Sequence, residues 1–169
     1  SPAILLCGHD LGSGDAIYKS GLQVGTVSYA RANTQVADSS VNSLGDFSIV
    51  KINTNNFQIS NRVRSDTSTV PITDTYSSVP EGTTIYKYGS ATKYSWGTVS
   101  LVNVTVNYEN GLLPYHIRGL YRSSMRNSSG TSAIDEGDSG GSVYVKSGST
   151  YKIHGNVSGR ITDTNVMYS

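Results

Sequence analysis

Cysteine, charge and long apolar runs are all scarce in this sequence of 169 residues. The single cysteine, Cys7, cannot form a disulfide within the chain and cannot supply a cysteine metal cluster. Charged residues make up 15% of the chain and the net charge is +1. Nucleic acids and anionic lipids attract concentrated positive charge, so we expect neither as a partner. No stretch approaches the roughly 18 consecutive apolar residues of a membrane span.

Glycine and tyrosine are abundant instead, with 18 and 12 residues. Short apolar or β-branched runs alternate with clusters of Gly, Asn, Asp and Ser, and no segment has helical periodicity, which predicts an all-β fold. The predicted strands are Ala3–Cys7, Ala16–Lys19, Leu22–Ala30, Asp46–Ile52, Thr83–Tyr88, Gly97–Tyr108, Tyr115–Tyr121, Gly141–Lys146, Tyr151–Val157 and Asn165–Tyr168.

Two further patterns concern the organisation of the chain. Residues Leu101–Tyr108 alternate between two sets of side chains, which predicts a strand with one buried face and one wet face. The polar stretch Arg31–Gly45 is predicted to be a long loop. A second polar stretch, Ser60–Gly82, predicts a boundary between two subdomains, approximately residues 1–70 and 71–169.

The clearest local motif is Gly137-Asp138-Ser139-Gly140-Gly141. A serine flanked by glycines suits a nucleophile, because small neighbours let a carbonyl approach Oγ and glycine lets backbone N–H groups turn toward one point. A tight turn before a strand is the alternative. The nucleophile elbow of α/β-hydrolases is excluded, because a β-branched strand and not a helix follows, and because His154 precedes Asp163.

Two upstream residues favour a nucleophile over a plain turn. His9 follows an apolar strand, and Asp46 opens another one, so the order His9, Asp46, Ser139 is that of the chymotrypsin triad. The sequence resembles the chymotrypsin-fold serine peptidases, and among them the bacterial branch typified by α-lytic protease and the streptogrisins. The segments that carry the resemblance are Gly8-His9, Gly25–Val27, Asp46–Val50, Tyr86–Thr92 with Gly97–Val99, Asn103–Tyr108, Gly137–Gly141 and Gly155–Gly159.

The resemblance implies two packed antiparallel Greek-key β-barrels, the first apparently incomplete at its N-terminus, and a serine endopeptidase activity. His9 and Asp46 would lie on the first barrel and Ser139 on the second. His9 would then act as general base, Asp46 would orient it, and Ser139 would attack the peptide carbonyl to form an acyl-enzyme. The N–H groups of Gly137 and Ser139 would form the oxyanion hole.

The resemblance also implies which residues bind substrate. Ala133 and Ile134 would form one wall of the specificity pocket, and Ser158, Gly159 and Arg160 the other. A small or apolar residue is expected before the scissile bond. Arg160 favours an acidic side chain there or points to solvent, and Asp135 and Glu136 argue against the acidic preference. Asp138 is expected to pair with an internal arginine, for which the candidates are Arg118, Arg122 and Arg126.

The chain departs from the family at several positions. Asp10 stands where a cysteine usually follows the catalytic histidine, Lys93 where the bacterial branch often has glycine, and Arg160 where the cleft strand usually ends in glycine. Two other histidines, His116 and His154, are interpreted as structural because their neighbours are apolar.

No metal and no cofactor is expected, because no group of His, Asp and Glu has zinc spacing and no segment matches a calcium loop. The expected partners are protein or peptide substrates, with flanking precursor segments or a second chain completing the first barrel as a further hypothesis. The expected location is extracellular. Two other functions stay open: a protease that excises itself from a precursor, and a protease-fold binding or structural module without turnover.

Overall fold

The computed structural model describes residues 2–31, 42–109 and 114–169, and for 42–44, 108–109 and 114–115 it describes the backbone alone. Within these ranges the chain forms fifteen strands and no helix, so the all-β prediction is confirmed. Among the described residues, none belongs to a helix long and apolar enough to cross a membrane. The strands are β1 (Ala3–Leu6), β2 (Ala16–Lys19), β3 (Leu22–Ala30), β4 (Asn42–Leu44), β5 (Ser48–Ile52), β6 (Arg62–Arg64), β7 (Thr69–Pro71), β8 (Asp74–Thr75), β9 (Thr84–Gly89), β10 (Lys93–Glu109), β11 (Pro114–Arg126), β12 (Ser142–Ser147), β13 (Thr150–Asn156), β14 (Gly159–Arg160) and β15 (Val166–Tyr168).

The predicted strands all correspond to observed ones, and β2 and β3 have the predicted bounds. The strands that the sequence pattern missed are β4, β6, β7, β8 and β14, each of two or three residues. Segments so short are too brief to show a period, and a neighbouring strand rather than their own composition holds them extended. One of them, β4, lies inside the stretch predicted to be a loop, and β6, β7 and β8 lie inside the polar stretch 60–82.

The chain divides into two compact units, the first made of Ser1–Ser60 and Thr105–Gly119. Its main sheet has four antiparallel strands in the order β1-β5-β3-β2. The pairing of Leu6 with Ser48 brings the end of β1 beside the start of β5. Val27, Val50 and Ile52 form the buried core of this unit. The register therefore places the residues just after β1 beside those just before β5.

The second unit consists of Asn61–Val104 and Leu120–Ser169. Its large sheet runs in the order β14-β15-β11-β10-β9-β12-β13-β8, and β6 and β7 form a separate hairpin. Antiparallel pairing places β12 between β9 and β13. The core of this unit includes a cluster of ten buried residues: Val79, Ile85, Val99, Met125, Ala133, Ile134, Val143, Val145, Val157 and Met167. The predicted boundary near residue 70 stays a prediction.

The prediction of one buried and one wet face for residues 101–108 is confirmed only in part: Asn103, Thr105 and Asn107 form the wet face. Leu101 and Val102, which belong to opposite sets, are 41% and 39% exposed, and Val104 and Val106 are half-buried. Asn103 has a φ of 54°, a conformation that interrupts the extended backbone. The alternation therefore holds at residues 103–107 and fails at Leu101 and Val102, and none of these described side chains is fully buried.

Candidate active site

In the first unit, His9 and Asp46 are held together by the pairing of β1 with β5. Asp46 Oδ1 accepts hydrogen bonds from the backbone N–H groups of Gly8 (2.7 Å) and His9 (2.9 Å), and its Oδ2 lies 2.7 Å from His9 Nδ1. The Asp46 side chain is fully buried and that of His9 is 13% exposed. A carboxylate acceptor requires Nδ1 to carry the proton, so in the neutral imidazole Nε2 carries the lone pair.

Close packing around Gly8 explains why glycine precedes the histidine. A Cβ at this position would lie 1.8 Å from the carbonyl oxygen of Arg31 and 2.6 Å from that of Phe47. Both obstacles are backbone atoms, and the N–H of Arg31 is itself bound to the Phe47 carbonyl at 2.8 Å. Any larger residue would therefore push the histidine segment away from Asp46.

The charge state of His9 is set by opposing effects. Burial acts to lower its pKa, but the hydrogen bond from Nδ1 to Asp46 and the charges of Asp46 and Asp10 outweigh burial, so the pKa of His9 is raised. Asp10 reaches the other ring nitrogen, with its Oδ2 3.3 Å from His9 Nε2. Each nitrogen of the imidazole ring therefore has a carboxylate beside it.

Cys7 is not a second nucleophile at neutral pH. Burial, together with the charges of Asp46 and Asp10, raises the pKa of its thiol to about 12. The thiolate is the reactive form of cysteine, and here it is scarce.

In the second unit, Ser139 lies in a turn between Asp135 and β12. The N–H of Asp138 donates to the carbonyl of Asp135 (3.1 Å), and the N–H of Gly141 donates to the carbonyl of Asp138 (2.9 Å). Gly137 has a φ of 91°, a value that a side chain would strain. Ser139 is exposed, and its Oγ lies 3.5 Å from the carbonyl oxygen of Ser158.

The backbone N–H groups on either side of Asp138 are available to a ligand. Among the described residues, none accepts a hydrogen bond from the N–H of Gly137 or of Ser139. The N–H of Asp138 between them is taken by Asp135, and that of Gly140 after them by Val157 (2.8 Å). A turn with two exposed donors beside a hydroxyl can bind an oxyanion.

Asp138 anchors this turn through a buried ion pair with Lys87. Lys87 Nζ donates to Asp138 Oδ2 at 2.8 Å, and both side chains are fully buried. The prediction that Arg118, Arg122 or Arg126 would be the partner is wrong. Since Lys87 lies on β9 opposite Val143 of β12, the strand that follows the turn brings the two together. The sequence carried a signal for this: Lys87 alternates with Ile85 and Gly89 on the buried face of β9, and an inward lysine needs a buried acid.

Further donors complete the shell of the Asp138 carboxylate. Its Oδ1 accepts from the N–H groups of Ala91 (2.9 Å) and Thr92 (3.0 Å), and its Oδ2 from the Thr92 hydroxyl (2.5 Å) and the N–H of Asp135 (3.1 Å). Burial acts to raise the pKa of Asp138, but the hydrogen bonds from Lys87 and Thr92 and the charge of Lys87 outweigh burial and lower it. The carboxylate is therefore ionised at neutral pH.

Lys93, which stands where the bacterial branch often has glycine, lies at the end of this network. Its φ is 58°, in the left-handed region that favours glycine. Its carbonyl oxygen accepts a hydrogen bond from Lys87 Nζ at 3.3 Å, and its own Nζ donates to the carbonyl of Ser90 at 2.6 Å. A lysine thus adopts a conformation that favours glycine, and its side chain also closes the loop.

The residues predicted to line the specificity pocket have different environments. Ala133 and Ile134 are buried in the core of the second unit. Arg160 lies in β14, and its Nη2 is 2.9 Å from Asp135 Oδ1. A cleft of about 440 Å³ is lined by Ser132, Asp135, Arg160, Asp163, Thr164 and Asn165.

The sequence analysis did not assign Asp163, Thr164 or Asn165 to this cleft. They belong to the short connection between β14 and β15, and the pairing of those two strands brings the connection beside Arg160. Asn165 Oδ1 accepts a hydrogen bond from the N–H of Ala133 at 2.8 Å, which ties the two walls of the cleft together. A hairpin signal in residues 159–168 was the clue available in the sequence.

The other two histidines are held by structural contacts. His154 Nδ1 donates to the carbonyl of Tyr76 (3.1 Å), and its ring meets the edge of Tyr121 at 4.4 Å between centroids. Burial lowers the pKa of His154, outweighing that hydrogen bond. His116 Nδ1 bonds to Asn107 Oδ1. Among the described residues, no three His, Cys, Asp or Glu side chains are grouped as metal ligands would be.

These features are those of the proteases of the chymotrypsin fold. They are the strand order, the buried pair of histidine and aspartate, and the serine turn bounded by glycines. The comparisons agree on that class. Thermobifida fusca protease A is 22% identical with a TM-score of 0.71, over 98% of this chain and 75% of that one. The Nocardiopsis protease is 23% identical with a TM-score of 0.68, over 99% and 77% of the two chains.

A third similar structure is described as a glutamic acid-specific serine protease that uses a histidine triad in substrate binding. It is 26% identical with a TM-score of 0.66, over 98% of this chain and 78% of that one. A search of curated protein sequences gives no significant match. The family model described as Trypsin matches residues 10–167, so the chain belongs to the trypsin family.

Proposed function

We propose that this protein is a serine endopeptidase whose triad consists of His9, Asp46 and Ser139. The observation that carries the proposal is the 2.7 Å contact of His9 Nδ1 with the buried Asp46, which leaves Nε2 as the basic nitrogen of the neutral ring. In this mechanism Nε2 takes the proton of Ser139 as Oγ attacks the peptide carbonyl, and gives it to the leaving amine. Water then hydrolyses the acyl-enzyme by the same exchange.

The turn around Ser139 supports an oxyanion hole made of the N–H groups of Gly137 and Ser139. Neither group donates to a described residue, and Gly137 has the positive φ that turns such a group outward. Each donor is worth roughly 3–4 kcal/mol of transition-state stabilisation in enzymes of this mechanism. Asp138 and Lys87 contribute by holding the turn in place.

The substrate would bind as an added strand along Ser158, Gly159 and Arg160, with Ala133 and Ile134 on the opposite side of the specificity pocket. One similar protease is specific for glutamic acid. In this chain the Arg160 guanidinium is bound to Asp135 at 2.9 Å, which neutralises it. We therefore keep the preference for a small or apolar residue before the scissile bond. An extracellular location belongs to the same proposal.

A fluorophosphonate probe tests the nucleophile directly, because it forms an adduct with an activated serine and not with an ordinary one. Mass spectrometry of the labelled protein is expected to find the adduct on Ser139. Ser139→Ala should abolish labelling, and Asp46→Asn should slow it strongly. Ser90→Ala, at another exposed serine beside a glycine, is the matched control and should label normally.

Failure of Ser139 to react in protein that unfolds cooperatively would refute the proposal and favour a module without turnover. Labelling together with no hydrolysis of a diverse peptide library would refute general endopeptidase activity and favour the self-processing alternative. A longer protein that carries this sequence would then be compared with its Ser139→Ala variant, in which release of the domain should stop if the protein processes itself.

A further inference from the structure

Asp10, the residue directly after His9, is a second carboxylate on the imidazole ring. Its Oδ2 lies 3.3 Å from His9 Nε2, the nitrogen that a general base needs. The Asp10 side chain is 75% exposed, whereas that of Asp46 on the other nitrogen is fully buried. The two carboxylates therefore differ in environment: Asp46 is enclosed by protein, and Asp10 faces water.

The contact with Asp10 depends on the protonation of His9. In the imidazolium both nitrogens carry protons, so Nε2–H donates to Asp10 while Nδ1–H donates to Asp46. In the neutral ring Nδ1 keeps its proton for Asp46, and Nε2 presents a lone pair that the Asp10 carboxylate repels. The pairing is thus available to the charged ring and lost by the neutral one.

Among the described residues of the first unit, the charged groups that act on His9 are Asp46 and Asp10, and the thiol of Cys7 lies close to the same two carboxylates. Asp46 and Asp10 carry the charges that help raise the pKa of His9 against burial. Cys7 stays a neutral thiol, because burial and those same carboxylates raise its pKa to about 12. Asp10 is accordingly the charge near the ring that a substitution can remove without touching the buried couple.

We propose that Asp10 is a positioning residue that binds Nε2 of protonated His9 and withholds that nitrogen from its role as base until the proton leaves. This inference rests on the proposed function. As the pH rises, His9 releases its proton to water, the carboxylate turns outward, and Nε2 becomes free to receive the proton of Ser139. A carboxylate that stabilises the imidazolium makes it lose its proton at higher pH, so the neutral, active form of His9 also appears at higher pH.

The test is a titration of His9 by NMR, read from its ring carbon-bound protons, in the Ser139→Ala protein with and without Asp10→Asn. Because Asp10 is exposed and screened by water, Asp10→Asn is expected to lower the pKa of His9 by about 0.5 units. Molar salt should produce much of the same shift in the protein that retains Asp10. Glu81→Gln, which removes an exposed carboxylate from the second unit, is the matched control and should leave the value unchanged.

In the active protein, Asp10→Asn should move the acidic limb of kcat/KM to lower pH by the same amount, and Asp10→Glu should restore part of the original profile. An unchanged His9 pKa in Asp10→Asn, or an equal change in Glu81→Gln, overturns the inference whatever the activity. A shifted pKa in a protein without hydrolysis overturns the proposed function instead, and the effect of Asp10 on His9 stands.

Discussion

Replacing Lys87 with methionine removes the cation that binds Asp138 among the described residues and leaves the rest of the carboxylate's hydrogen bonds in place. Methionine has nearly the volume of lysine, so the change deletes a charge with little loss of packing. The carboxylate keeps its hydrogen bonds from Ala91, Thr92 and Asp135 but loses the ammonium at 2.8 Å. Removing one partner of a buried pair costs about 3–5 kcal/mol, because the other charge stays buried without compensation.

A loss of that size lowers the midpoint of thermal unfolding by about 6–20 °C, at about 2–4 °C for each kcal/mol in a domain of this length. Circular dichroism at pH 7 measures it, with Lys51→Met on an exposed position of β5 as the control. In the unmodified protein the pKa of Asp138 is lowered, so its stabilisation is present above the ordinary value of 3.8 and is lost as the pH falls through the folded value.

In Lys87→Met the pH dependence of this contribution is expected to reverse, because a buried carboxylate without its ammonium partner is more stable when protonated. The deficit of the variant relative to the unmodified protein should therefore shrink between pH 7 and pH 4, and Asp138→Asn in the same background should recover part of the lost stability. Labelling of Ser139 by a fluorophosphonate should slow in Lys87→Met even where the protein is folded. A variant as stable as Lys51→Met, or a deficit that is the same at both pH values, would refute the role given to the ion pair.

Two further substitutions test the packing of the turn and the charge of the cleft. Gly89→Ala would place a methyl group 2.2 Å from a carboxylate oxygen of the buried aspartate, at a cost of about 1–3 kcal/mol in urea unfolding. Gly155→Ala, which meets no atom of the described residues within 4 Å, should be nearly neutral, and equal losses in the two would contradict this account. Asp135→Asn frees Arg160 and should raise kcat/KM for glutamate over alanine before the scissile bond by about 10- to 140-fold, since a hydrogen bond to a charged group is worth about 1.5–3 kcal/mol. In assays with peptides that vary at that position, the same rise in Glu136→Gln would show that net charge, and not Arg160, is responsible.

The sequence predicted the strand scaffold because its long strands carry their own signal. Leu22–Ala30 is rich in β-branched and aromatic residues and follows the turn at Ser20-Gly21, and the structure gives it the same bounds. The closeness of His9 and Asp46 followed from their places at the ends of two apolar strands, once the family resemblance indicated that those ends meet. The register that brings them together, Leu6 opposite Ser48, is a tertiary property that the pattern alone does not contain.

The partner of Asp138 was missed for a physical reason. An arginine partner was expected without regard to the strand on which the cation lies. Lys87 is buried because it belongs to the inward face of β9. Residues of that face at 85, 87 and 89 are all buried, so the charge had to be matched inside the unit. A lysine at an inward position of the period-two pattern of β9 predicts a buried carboxylate as its partner.

The two buried carboxylates, Asp46 and Asp138, have the same structural role, each in its own unit. Asp46 binds the N–H groups that carry His9 into place as well as the ring of His9 itself. Asp138 binds the N–H groups of the loop at 91–92 as well as Lys87, and its own backbone bounds the two free donors of the turn. In each case several backbone donors bind a charge that would be too costly to bury alone, and this fixes the backbone that carries the proposed catalytic group. Loss of either carboxylate should therefore displace a segment of the backbone as well as delete a contact. Asp46→Asn keeps most of the shape of the side chain, so it tests the chemistry of Asp46 more directly than Asp46→Ala does.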